Sequence, residues 1–120
     1  IASEAVAVGD ALSLDLAQTN NGDKAIFVMK ADTGVNAKRC GIGIAIGAAA
    51  AAGDTVDVCI GGMAEAKVKA GTAVGDRLSI FNTTAGVLEP YQNTFEDPIL
   101  AVAGAAEAGG KAIVFVIKQF

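Results

Sequence analysis

The apolar residues of this chain recur with a period of two rather than 3.6, which points to strands and away from helices. Ala11-Leu12-Ser13-Leu14-Asp15-Leu16 sets three leucines on one side and small or polar groups on the other. Asp54 to Ile60 repeats the scheme, Arg77-Leu78-Ser79-Ile80 follows it, and Met63 to Lys69 alternates in the same way. Such alternation marks strands with one buried face. Ala25 to Lys30 and Ala112 to Lys118 are more continuously apolar, which predicts strands covered on both faces. In Gly41-Ile42-Gly43-Ile44-Ala45-Ile46-Gly47 the three isoleucines share one face; the bare Gly/Ala face lets another backbone approach closely. The five alanines from Ala48 to Ala52 have high helix propensity, but so short a segment between strands sustains one turn at most. Pro90 and Pro98 flank or enter a polar stretch, Glu89 to Asp97, that reads as a surface loop.

Between these segments a Gly-Asp pair recurs, at Gly9-Asp10, Gly22-Asp23, Gly53-Asp54 and Gly75-Asp76. Glycine permits positive φ and aspartate can bond the backbone beside it, so the pairs read as turns that launch strands. An internal similarity also appears at an offset of 57 residues: Ile42 to Ile60 resembles Ile99 to Ile117, with Gly47-Ala48-Ala49 against Gly104-Ala105-Ala106 and Gly53 against Gly110. The expectation is an all-β fold, a small β-barrel or β-sandwich, in which two related β-units at 42–60 and 99–117 close on each other and dispose of sheet edges. One domain is expected overall, with 40–120 as its β-barrel core and 1–39 as N-terminal strands or an arm, part of it or packed on it.

Composition narrows function. Alanine and glycine make up a third of the 120 residues, aromatics 5%, and histidine is absent. At roughly 25 cal/mol per Å² of apolar area, a core built from such small side chains is thin, and the chain gains by burying more surface against copies of itself or a larger partner. Without histidine the usual general base near neutral pH and the commonest imidazole metal ligand are missing. Cys40 and Cys59 cannot make a four-thiolate zinc site in one chain, and whether they pair is not settled by spacing. Cys59 alternates with Val58 and Ile60 and reads as a small buried hydrophobe. With 13 acids against 9 scattered bases the chain repels phosphate backbones, so nucleic acid is not an expected partner. The longest uncharged apolar run, Gly41 to Ala52, is 12 residues and too short to span a bilayer as a helix, so no membrane partner is expected. Glu4 and Asp10 break any signal-peptide pattern at the start.

The glycine-rich segments fail as phosphate loops. A dinucleotide fingerprint from Gly41 needs glycine where Ile46 stands, and Gly104 to Gly109 has a P-loop interval followed by Gly110 instead of lysine. The carboxylate pairs Glu96-Asp97 and Asp54/Asp57 lie in turns or on exposed strand faces, where solvated acids are ordinary. Asn82-Thr83-Thr84 fits the glycosylation pattern, a three-residue match common by chance. No catalytic residue, metal ligand or cofactor is assigned.

Two resemblances follow from longer motifs. Met63-Ala64-Glu65-Ala66-Lys67-Val68-Lys69 through Ala73-Val74-Gly75-Asp76-Arg77-Leu78 superficially resembles biotinyl/lipoyl carrier domains, which present a modified lysine at a hairpin tip. Here Val68 follows Lys67 in an alternating run, the wrong context for a modified lysine. The broader resemblance runs from Cys40 to Ile117. It comprises Gly43-Ile44-Ala45-Ile46-Gly47, the connection Ala48 to Ala52, Gly53-Asp54-Thr55-Val56-Asp57-Val58 and Gly61-Gly62-Met63. After these come Gly71 to Asp76, Ala85-Gly86-Val87-Leu88, Asp97-Pro98-Ile99-Leu100-Ala101-Val102-Ala103 and Gly109-Gly110-Lys111. This order resembles the small Ala/Gly-rich β-type head decoration, or cement, proteins of tailed bacteriophages. The resemblance implies a non-enzymatic virion protein on the outer surface of the capsid, bound to the major capsid protein and commonly a homotrimer. The apolar candidates for such contacts are Ile1, Val6 and Val8 near the start, the loop aromatics Tyr91 and Phe95, and Phe120. A biotinyl/lipoyl-like carrier and a small β ligand-binding module stand as alternatives; the latter asks for an aromatic platform, for which one Tyr and five Phe are a poor supply.

Overall fold

The computed structural model of the chain describes residues 1–15, 17–20, 26–31, 41–80, 85–90 and 99–119. Among them every regular element is a strand: β1 (Ala11–Leu14), β2 (Val28–Lys30), β3 (Gly41–Ala45), β4 (Val58–Cys59), β5 (Gly62–Lys67), β6 (Arg77–Ile80), β7 (Leu88–Pro90), β8 (Ile99–Ala103) and β9 (Lys111–Gln119). They form two antiparallel sheets, one ordered β2-β1-β3-β4 and the other β5-β9-β8-β6-β7. The chain is all-β, as its period of two requires.

A single cluster joins the sheets. Ala11 and Ile44 of the first sheet pack with Ala64, Ala66, Leu78, Leu88, Ala101, Ala103, Ala112, Val114 and Val116 of the second. The opposite face of the first sheet carries another cluster, where Leu12, Val28 and Ala45 meet Ala2, Val6 and Ala49. Residues 1–8 thus line the first sheet, held by the bridges Ala2↔Val28 and Val6↔Ala49. β1 lies between β2 and β3 inside that sheet. The sheet edges are shielded locally: Lys67 N–H donates to Gly9 O at 2.9 Å, and Lys69 N–H donates to Leu88 O at 2.8 Å. Val68, just past β5, bridges Leu88 of β7, the far edge of the same sheet. Pro90 ends β7 at that edge, where its missing N–H costs no ladder bond.

The Gly-Asp turns share one geometry. In Ala7–Asp10, Ala51–Asp54 and Ala73–Asp76 the aspartate N–H donates to the alanine carbonyl at 3.1, 3.3 and 3.2 Å. In return the alanine N–H donates to the aspartate Oδ2 at 2.8, 3.1 and 2.9 Å. The glycine between them has φ of 93°, 94° and 86°. Gly22-Asp23 lies outside the described residues. A Cβ on Gly53 would meet nothing within 4 Å, so Gly53→Ala isolates the backbone term. It is expected to cost about 1 kcal/mol, read as a fall of roughly 4–6 °C in the thermal midpoint.

Four expectations are corrected. Ile42, Ile44 and Ile46 do not share a face. Leu12 pairs with Gly43 and Ser13 with Gly41, so Ile42 is bulged out of register. Ile44 therefore faces the joint core, Ile42 the second cluster, and Ile46 water. Residues 54–60 give only the short strand β4: Asp54 closes the 51–54 turn, and the pairing with the β3 segment begins only at Asp57, whose carbonyl accepts from Ile46 N–H at 3.0 Å. Glu89 and Pro90, read as loop, belong to β7, and Glu89 is buried; residues 91–97 lie outside the described set. Finally β9, read as covered on both faces, has one face in water, because neither sheet packs against that side.

Asp15 fastens the first residues to the end of β1. Its Oδ2 accepts from Ser3 Oγ at 2.7 Å and Gln18 Nε2 at 2.9 Å, and its Oδ1 accepts from Ala17 N–H at 3.0 Å. The Gln18 and Ser3 bonds hold its carboxyl below the usual value of 3.8, against the opposing effect of burial. A carboxyl depressed in the folded state contributes stability above its unfolded pKa and loses it as pH falls through the folded value. Asp15→Asn is therefore expected to lower the melting temperature at neutral pH. The gap to the parent should close as both are titrated below 3.8.

Candidate interaction surface

The residues that stand out are on the outer side of the five-stranded sheet. Along β9, alternate side chains point to opposite faces. Ala112, Val114 and Val116 go to the core, while Ile113, Phe115 and Ile117 go outward. β5 does the same, sending Ala64 and Ala66 inward and Met63 and Glu65 outward. On these two strands the usual order is inverted: Ala and Val are inside, and Met, Phe and Ile outside. Met63 is 66% exposed, Phe115 47% and Ile117 46%.

Strand register assembles these into one row. Met63 lies opposite Phe115, Phe115 opposite Val102, and Val102 opposite Arg77, spanning β5, β9, β8 and β6. Ile113 sits beside Glu65 in the next row, and Lys111 Nζ lies 3.9 Å from Glu65 Oε1. Ile60, at the corner between β4 and β5, is exposed as well. The arrangement can bury surface against a partner; it contains no nucleophile–base pair. Among the described residues no group of three or more His, Cys, Asp or Glu could hold a metal, and no helix is long and apolar enough to cross a membrane.

The described residues among those singled out from sequence fall elsewhere. Ile1 and Val8 are exposed, and Ile1 is anchored by its terminal ammonium, which donates to Ile26 O at 2.7 Å. Val6 is only 4% exposed; it is spent on the second cluster and has no surface to offer a partner. Tyr91, Phe95, Phe120 and Cys40 lie outside the described residues. Cys59 is half-buried and donates to Gly61 O at 3.3 Å. Lys67 is the last residue of β5, with its ammonium 2.6 Å from Asp10 Oδ1. Lys69 opens a turn closed by the Thr72 N–H to Lys69 O bond.

Met63, Phe115 and Ile117 were missed because both parities of β9 are apolar, which hides the outward face. The available signal was size: the even positions 112, 114 and 116 hold Ala and Val, the odd ones Ile and Phe. Comparison with protein-family models, with curated proteins and with solved structures finds no match to this chain.

Proposed function

We propose that this chain is an adhesive structural protein of the head-decoration type. It binds the outer surface of an assembled phage capsid at junctions of the major capsid protein, as a homotrimer, without catalysis or cofactor. The observation that carries the reading is the outward placement of Met63, Phe115 and Ile117 on β5 and β9, while Ala64, Ala66 and Ala112 take inward positions of the same strands. A soluble monomer gains nothing from that order; a chain that spends its apolar area on contacts does. Binding only the assembled shell shifts the equilibrium towards it by mass action, and many linked copies on one lattice add avidity.

The finer architecture belongs to the same proposal. We read the five-stranded sheet as a small barrel, supported by the Val68↔Leu88 bridge between its two ends. A barrel of so few strands is narrow, which accounts for alanine at its inward positions. The two β-units are read as a duplication. Ile44↔Cys59 and Ala101↔Val116 are pairs shifted by the same 57 residues, as are Ala45↔Val58 and Val102↔Phe115. The turn bonds Asp54 N to Ala51 O and Lys111 N to Ala108 O correspond likewise.

The test is cosedimentation with undecorated heads. Saturable binding at a fixed ratio to shell subunits is expected. Absence of binding at every concentration, or turnover of a substrate by the isolated chain, would remove the proposal.

A further inference from the structure

The outer face of β5 and β9 needs an occupant, and its geometry and charge select one. Ile60, Met63, Phe115 and Ile117 are all exposed. Met63 and Phe115 are cross-strand neighbours, and a contiguous apolar patch of a few hundred Å² is often functional on a soluble protein. A stable interface buries about 800 Å² on each partner, and this patch would form its apolar centre with Ile113, Val102, Glu65 and Lys111 around it.

The Phe115 ring lies low on this face. A Cβ on Gly104 would lie 2.9 Å from Phe115 Cε2, so the ring is laid across its own sheet at the bare glycine instead of rising as a knob, which leaves room for a neighbour's side chains. The face is also not acidic: Glu65 pairs with Lys111 and Arg77 lies in the Phe115 row, whereas the whole chain carries a net charge of −4. Two copies meeting through an acidic surface would repel each other. Through this face they set apolar area on apolar area and bring the acid of one rim to the base of the other.

We infer that a second copy of this chain covers the β5–β9 face, with the same residues of neighbouring copies meeting around a symmetry axis. The inference rests on reading this face as adhesive and deepens that reading by naming what adheres to it. Other surfaces then meet the shell.

Sedimentation equilibrium of the wild type, Phe115→Ser and Met63→Lys tests it, with each variant's melting curve as a check on folding. The wild type is expected to associate reversibly. Each variant should raise the dissociation constant at least about tenfold, with melting unchanged when measured at dilutions where all three are monomeric. Peroxide oxidation of Met63 should slow at concentrations where the wild type is associated. If one variant folds poorly, the other decides. A wild type that stays monomeric throughout, or variants that associate as tightly as it does, overturns the inference. In that event, weaker binding of Phe115→Ser to undecorated heads leaves the adhesive reading standing, and unchanged binding removes both.

Discussion

Gly43→Ala is expected to leave little or no folded protein. The added Cβ would fall on the carbonyl oxygen of Cys59 and lie 2.9 Å from its carbonyl carbon. The obstacle is main chain, so no rotamer change relieves it, and β4 must separate from β3. The expected cost is at least about 3 kcal/mol, a large part of the margin by which a small domain is stable. Soluble yield and thermal midpoint are the measurements. Adding Val58→Ala removes the nearby Val58 Cγ1, 3.0 Å from the new Cβ; the double variant should remain as unstable as the single one, because the carbonyl stays. Recovery by Val58→Ala would show that side-chain crowding, not the backbone, sets the requirement. The contrast with Gly53→Ala separates two uses of glycine, close approach at Gly43 and positive φ at Gly53.

Lys67→Met should be the next most damaging change. Asp10 lies where the sheets meet. Its backbone carbonyl accepts from Ala45 N–H at 2.9 Å, while neighbouring Gly9 O accepts from Lys67 N–H in β5 at 2.9 Å. The side chain of Asp10 is 3% exposed and that of Lys67 33%. Removing the lysine charge leaves a buried carboxylate whose other oxygen accepts from Ala7 N–H at 2.8 Å, a loss of about 2–3 kcal/mol. Asp10→Asn is milder, about 1–2 kcal/mol, because the partly exposed ammonium can turn to water. Urea denaturation of both at neutral pH measures the asymmetry. The reverse order would mean that the pair matters less than the turn that Asp10 closes.

These two residues also show where sequence reading stops. β1, β5 and β6 were legible as strands because each alternates apolar and polar residues and begins at or near a glycine. Ser13 and Ser79, however, are buried beside Leu12 and Leu78, so β1 and β6 are covered on both faces where alternation predicts one. The Gly-Asp turns were legible because their chemistry is local to four residues. Ile42 was misplaced because the bulge exists only in the pairing of β3 with β1, which no single segment encodes. β9 was half-read: its apolar run identifies a strand, but both parities are apolar, so only packing decides which side meets water. Lys67 meets Asp10 across 57 residues, a separation at which charge pattern carries no information. The exposed apolar face of β5 and β9 is hidden because both parities of β9 are apolar, and composition points instead to termini and loop aromatics. Val6, one of those, has its surface consumed inside the monomer.

The central claim is that this chain works through contact area on a shell, without a reacting group. The temperature at which undecorated heads come apart, measured with and without the protein, tests it most directly. The claim predicts an upward shift that grows with bound protein and levels off when the binding sites are full. An unchanged disruption temperature at saturating protein would contradict it.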